Sequence, residues 1–211
     1  GKESSWALSQ ALESGRDVRT LIVVQPPETS DMYHAPAQPV IRLAARSIGL
    51  PLVDVGLPVT DMEPPDLAAN VSAAQDGERD ALEPALERLD AEFDDGVRGL
   101  IAGTVTSDSQ ADRLGAMCDR LGCEFFAPLW HAEPRELAAT MIDGGLVIHV
   151  VEVAGSGFDA SWLGRQLDHD ALADLTALHR EYGVHILGEG GEYQTIVTDG
   201  PHMSRPIAFE F

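Results

Sequence analysis

Short β-branched runs alternate along this chain with stretches in which apolar residues recur every three or four positions, the pattern of strands alternating with amphipathic helices. Residues 4–14 predict a helix stopped by Gly15, and LIVVQ at 21–25 predicts a strand. A second helix is expected over about 37–48, with Val40, Ile41, Leu43, Ala44 and Ile48 on one face and Gly49 as its stop. The strand LVDVG follows. Residues 59–76 are polar, aperiodic and interrupted by prolines, which reads as a loop. From 77 to 93 a helix would align Leu82, Leu86, Leu89 and Phe93, with Pro84 in its first turn or kinking it. VRGLIAG at 97–103 reads as a buried strand, and Ser107 as the cap of a helix reaching Leu121, with Leu114, Met117, Cys118 and Leu121 inward and Gly122 as its stop. CEFFAPLW supplies another strand.

After Trp130 the texture changes. Pro134 opens a short helix to about Asp143, a long apolar strand covers 146–153, and a helix over 170–182 stops at Gly183. Two further strands are expected at 194–198 and 205–211. Alternating strands and helices imply βαβ units around a parallel sheet, so the fold class is α/β. A soft boundary at 128–134 divides the chain into residues 1–130, a nucleotide-type α/β half, and residues 131–211, a smaller α+β half.

Composition narrows the class. A chain of 211 residues can bury a substantial core. Its most apolar stretch, GLVIHVVEVAG, is too short for a membrane span and carries His149 and Glu152, and the start has no signal-peptide profile. A soluble cytoplasmic protein with no membrane role is the expectation. Acids outnumber bases 35 to 14, for a formal charge of −21, which argues against direct nucleic-acid binding. High salt screens such a surface, since the Debye length falls to about 3 Å at 1 M. A salt-loving cytoplasm is therefore preferred over a partner-binding acidic coat. Cys118 and Cys123 have neither zinc nor redox spacing and read as buried thiols.

Two stretches carry candidate chemistry. GKESS, residues 1–5, leads into the first helix, where free amides and the helix dipole favour an anion. Lys2 stands there as the only lysine beside thirteen arginines, which suggests a compact point charge for a phosphate, against the ordinary reading of a solvated terminal lysine. The Walker pattern is absent. GEGGEY, residues 188–193, sets Glu189 and Glu192 on either side of Gly190 and Gly191, next to Tyr193. Either this is a solvated glycine-rich turn, or the glycines bring backbone close to a ligand that the acids and ring hold.

GKESSWAL resembles the tail of the S-G-G-K-[DE]-S loop of the N-type ATP pyrophosphatases. MYHAP at 32–36, SDSQADR at 107–113, APLW at 127–130, SWLGR at 161–165 and GEGGEYQT at 188–195 follow in the order of one branch of that superfamily, the diphthine-ammonia ligases. The likeness spans nearly the whole chain. It departs from the pattern where the chain begins at Gly1, without the first strand and the start of the loop, where Ala35 and Ala37 replace Thr and Asn, and where Gln194 stands for an acid.

The resemblance implies a Rossmann-like parallel-sheet domain with a smaller α+β domain, and the acidic charge balance adds the expectation of a halophilic archaeal source. It implies ATP-dependent amidation of diphthine on translation elongation factor 2, through an acyl-adenylate, with ammonium as nitrogen source and AMP and pyrophosphate as products. ATP and Mg²⁺ are the implied cofactors. Gly1, Lys2, Glu3, Ser4, Ser5, His34, Ser107 and Asp108 are expected at the nucleotide, with Glu3 or Asp108 on the metal. Diphthine carries a quaternary ammonium, which aromatic faces and acids suit. Gly190, Gly191, Tyr193, Trp130, Trp162 and Arg165 are expected at that substrate, and Lys2, Glu189 and Glu192 as catalytic. Arg165 could meet the adenylate phosphate or form a surface ion pair, and Gln110 and Arg113 could line the cleft or face solvent. Trp6 is expected in the core. A transfer-RNA-modifying relative and a non-catalytic nucleotide-binding scaffold are the competing readings, and a homo-oligomer is left open.

Overall fold

The computed structural model describes residues 1–25, 38–56 and 82–208. Residues 1–56 contribute α1 (Lys2–Glu13), β1 (Leu21–Gln25), α2 (Gln38–Ile48) and β2 (Leu52–Gly56). Then come α3, described over 82–92, β3 (Gly99–Ile101), α4 (Asp108–Leu121) and β4 (Glu124–Phe126). Beyond them lie α5 (Pro134–Asp143), β5 (Val147–Val153), a 3₁₀ turn (Ala160–Trp162), α6 (His169–Tyr182) and β6 (Tyr193–Asp199). His34, the MYHAP motif and the loop expected at 59–76 lie outside the described residues. No helix among the described residues is long and apolar enough to cross a membrane.

Local chemistry sets most helix ends. Ser107 caps α4 by accepting from the Gln110 amide at 3.4 Å, and Gly122 closes it in the left-handed conformation. Glu133 accepts from the Glu136 amide at 2.7 Å, with Pro134 just inside the helix, where its missing N–H costs nothing. Asp168 caps α6 at the Ala171 amide, and Gly183 ends it. Pro84 sits within α3, early in its described part.

The sheet is the main departure from expectation. Among the described residues β1 pairs parallel with β2 and β3 parallel with β4, while β5 pairs antiparallel with β6. Mixed α/β structure is present as expected, and among the described residues its strands form three two-stranded ladders. β3 is three residues long and half exposed rather than a buried seven-residue strand, and it opens on Gly99, which has no side chain to pack. The strand expected at 205–211 is not found over 205–208, and 209–211 lie outside the described residues. Pro206 has no amide to donate, and the segment docks on α2 instead. There the Ser204 amide and hydroxyl donate to the Ser47 carbonyl at 2.8 and 2.6 Å, and the Ser47 hydroxyl donates to the Arg205 carbonyl. That dock buries Ala45 and Ser47 and leaves Leu43 exposed, contrary to expectation, while Val40, Ile41, Ala44 and Ile48 are half-buried on the expected face.

Two cores result. Leu82, Leu86 and Leu89 of α3 pack with Leu114 and Met117 of α4, backed by Ile22, Val24 and Val53 of the first ladder. The larger core joins Trp6 and Ala7 of α1 to Leu137 and Met141 of α5, Ile148 and Val150 of β5, Leu175 of α6, and Tyr193 and Val197 of β6. Each fully buried aliphatic there contributes about 1.5–3 kcal/mol. Helix α1 packs against both β3 and β6, so its first turn lies where the front and rear of the chain meet. Cys118 is buried as expected and its thiol is pushed up to about 12, by burial first and then by Cys123. Cys123 is only half-buried, and both are free.

Candidate active site

Helix α1 begins two residues earlier than its apolar period suggests, so Lys2, Glu3, Ser4 and Ser5 form its first turn instead of a preceding loop. Glu3 favours this by placing a carboxylate at the positive end of the dipole. Gly1 occupies the capping position without a side-chain acceptor, so the leading amides keep their capacity to bind an anion. Ser4 is exposed within that turn and is not its cap.

Lys2 is 4% exposed. Its Nζ donates to the Leu187 carbonyl at 2.7 Å, lies 2.8 Å from Glu3 Oε1 without hydrogen-bond alignment, and stands 5.2 Å from the centre of the Tyr193 ring. Burial alone would lower the pKa of this amine, but Glu3, then Tyr193 and Glu189, outweigh it and raise the value. The same pairing overcomes desolvation at Glu3 and holds its carboxyl below the ordinary range. Both partners are therefore ionised, as a buried pair requires.

Leu187 belongs to the turn that carries GEGGEY, so the leading helix and the rear motif touch directly. Gly188 has φ +68°, and a Cβ there would stand 2.8 Å from the Tyr193 carbonyl oxygen. Only glycine allows this doubling of the chain. Tyr193 is buried and donates its hydroxyl to the Ile186 carbonyl at 2.5 Å, and burial pushes its phenol up to about 12. Its ring faces Lys2 and Phe158 and is not an open aromatic wall. Glu189 is held through Oε2 by the Thr106 hydroxyl, with His185 Nε2 at 3.7 Å. Glu192 accepts the His185 amide at 2.8 Å through Oε1, while its buried Oε2 has no hydrogen-bond partner among the described residues. The Gly190 position is confined by that carboxylate, since a Cβ there would lie 2.8 Å from Glu192 Oε1.

The loop after β3 completes the junction. A Cβ at Gly103 would stand 2.5 Å from the backbone of Glu3 and Ser4, so the loop lies directly against the first turn of α1. Thr104 follows, 4% exposed, with no partner for its hydroxyl among the described residues. Thr106 reaches Glu189, and Asp108 opens α4 two residues later. Ser107 is occupied as the α4 cap.

The other expected residues are placed differently. Arg165 pairs with Asp174 at 2.6 Å and lies over the Trp162 ring at 4.5 Å, the ion-pair alternative. Trp162 is buried, edge-on to Phe158, as part of the core and not an exposed wall. Trp130 is half-buried against His131, with ring centres 4.3 Å apart. Trp6 is in the core as expected. Gln110 and Arg113 are half-buried on α4, and Arg113 has a partner. Among the described residues no group of three or more His, Cys, Asp or Glu could hold a metal ion. A recess lined by Leu86, Glu87, Asp90, Val97 and Leu121 belongs to the α3–α4 core and touches none of the site residues.

Sequence reasoning missed Gly103, Thr104, Thr106, His185 and the Leu187 carbonyl. His185 precedes GEGGEY by only three residues, and that proximity was the available signal; a backbone carbonyl leaves none.

The fold and site define a class: a mixed α/β protein whose leading helix offers free amides and a buried lysine, closed by a glycine-rich acidic turn. Residues 1–125 match the diphthamide synthase N-terminal domain and residues 133–209 the diphthamide synthase C-terminal domain. The chain belongs to the diphthamide synthase family. It is similar to the diphthine-ammonia ligase of Homo sapiens, 29% identical over 217 residues that cover 98% of this chain and 79% of the human protein. It is likewise 29% identical to that of Danio rerio, over 100% of this chain and 83% of the fish protein. The yeast protein from Saccharomyces cerevisiae is 25% identical, over 95% of this chain but only 32% of its own length.

Proposed function

We propose that this chain catalyses the ATP-dependent amidation of diphthine on translation elongation factor 2, with ammonium as nitrogen source. The substrate carboxylate attacks the α-phosphate of ATP, pyrophosphate leaves, and ammonia displaces AMP from the acyl-adenylate. The observation that carries the reading is the contact of Lys2 with Leu187, which brings a phosphate-type helix start and an acidic turn into one site. Membership of the family supports the same reaction.

Carboxylate and triphosphate repel, so the first step depends on positioning and charge neutralisation. The amides of residues 2–4, Lys2 and the partnerless Thr104 hydroxyl suit the phosphate oxygens. Glu3 and Asp108 are the acids that would hold a Mg²⁺ bound with the triphosphate, one or two carboxylates sufficing, and the ion would neutralise charge on the departing pyrophosphate. Glu3 can contribute only by giving up part of its pairing with Lys2. Glu189, at the open mouth of the site, receives the proton lost as ammonium becomes the attacking amine. Glu192, with a buried unsatisfied oxygen, supplies negative charge for the cationic side chain. Trp130 remains the aromatic candidate for that cation, because the ring of Tyr193 is already turned to Lys2. The chain would comprise a nucleotide-binding part over 1–130 and a substrate-recognition part over 131–211, acting in the cytoplasm.

The test is incubation with ATP, ammonium and elongation factor bearing diphthine, following AMP release and the mass change from acid to amide. AMP release that requires transfer RNA instead of the elongation factor, or nucleotide binding without turnover, would refute the reading.

A further inference from the structure

We infer that His185 is a positioning residue for Glu189, acting with Thr106 to clamp one carboxylate oxygen so that the other is left for the incoming ammonium. The inference rests on the ligase reading above and deepens it. His185 Nδ1 lies 3.3 Å from the Leu187 amide nitrogen and 3.4 Å from that of Glu189. Both are N–H donors, so Nδ1 is the bare acceptor nitrogen of a neutral ring, and the ring proton is assigned to Nε2. Nε2 faces Glu189 Oε2 at 3.7 Å. This is longer than a formed hydrogen bond, but catalytic contacts commonly tighten only when substrate is bound. The same Oε2 accepts the Thr106 hydroxyl. Oε1 has no hydrogen-bond partner among the described residues, and the Glu189 side chain is 29% exposed.

Thr106 comes from the loop after β3 and His185 from the loop after α6, so the clamp ties the two halves of the site through one carboxylate. His185 also reaches the second acid, because its own amide donates to Glu192 Oε1 at 2.8 Å. One residue thereby sets the spacing of both acids. A histidine that merely supported the turn would need Nδ1 alone; the clamp needs Nε2 as well.

That difference makes two amide substitutions decisive. In His185→Asn the side-chain oxygen can replace Nδ1 but nothing reaches Glu189, whereas in His185→Gln the amide NH₂ comes near the Nε2 position. The clamp predicts that Gln retains most of the amidation rate, while Asn loses about 10–100-fold, the usual scale for misplacing a reacting group. In both variants ATP-dependent pyrophosphate exchange should persist. If Asn keeps the rate and Gln loses it, or both lose it equally, His185 only supports the turn; if neither loses it, His185 has no role. A readout independent of turnover is the ¹⁵N spectrum of the His185 ring, which should show protonated Nε2 and shift on Glu189→Gln. No shift would overturn the clamp. A parent protein that neither releases AMP nor amidates would instead defeat the ligase reading, leaving the ring spectrum to judge the clamp separately.

Discussion

Gly103→Ala tests whether the loop after β3 seats the first turn of α1. The added methyl would stand 2.5 Å from Glu3 C and Ser4 N and 2.8 Å from Glu3 O, all of them backbone atoms that cannot rotate aside. Ordinary contact begins near 3.4 Å, so loop and helix must part by about 0.9 Å. Overpacking of this kind costs about 1–3 kcal/mol, and a domain of this size loses roughly 2–4 °C in Tm per kcal/mol. Total stabilities are typically about 5–15 kcal/mol, so the variant should remain folded at assay temperature. The same displacement moves Lys2 and the leading amides, and an error of about 1 Å at a reacting centre can cost about 100-fold in rate. The expected result is a modest drop in Tm with a much larger loss of AMP release, measured below the melting transition. A variant that melts and turns over like the parent would refute the close approach, and a rate loss confined to the unfolding range would refute its catalytic importance.

Other outcomes follow from the same packing. Gly115 lies within α4 with only Phe125 near its Cβ position, at an ordinary 3.8 Å. Gly115→Ala should raise stability by about 0.5–1 kcal/mol in urea titration and leave turnover unchanged. Lys2→Met keeps the stem but strands the Glu3 carboxylate. It should cost about 3 kcal/mol, the low end for breaking a buried pair because Glu3 is 21% exposed, and should abolish AMP release. His202 is 7% exposed, neither ring nitrogen has a hydrogen-bond partner among the described residues, and burial, opposed by Asp199, holds its pKa below the ordinary 6.5. The unfolded chain then binds this proton more readily. The histidine's contribution is complete above about pH 6.5 and is lost as pH falls through the lowered folded value. His202→Leu should therefore gain in Tm over the parent as pH falls from 7 to 5, and parallel melting curves would contradict the assignment.

The helix ends at Ser107, Gly122, Pro134 and Gly183 were legible because capping is local chemistry. The exposure of Leu43 on α2 was not, since the period that groups it with Val40 and Ala44 cannot anticipate a polar dock of Ser47 onto residues 204 and 205. The parallel pairing of β1 with β2 and of β3 with β4 was legible, but βαβ alternation does not announce which pairs lie side by side. At the site, Lys2, Glu189 and Glu192 could be singled out by their unusual neighbours. Their partners could not, because Thr104 and Thr106 look like any loop threonines, and the contact of Lys2 with Leu187 spans almost the whole chain to a carbonyl without a side-chain signature. Tyr193 and Trp162 are expected at a cation pocket because the resemblance implies a quaternary ammonium that aromatic faces suit, whereas their burial commits both to the core.

The most direct measurement of the joint site is a crystal structure with a non-hydrolysable ATP analogue. The account predicts phosphates against the amides at the start of α1, with Lys2 Nζ turned from the Leu187 carbonyl to a phosphate oxygen and the 185–193 turn still facing them. Phosphates bound away from that helix, with Lys2 still on Leu187, would contradict it.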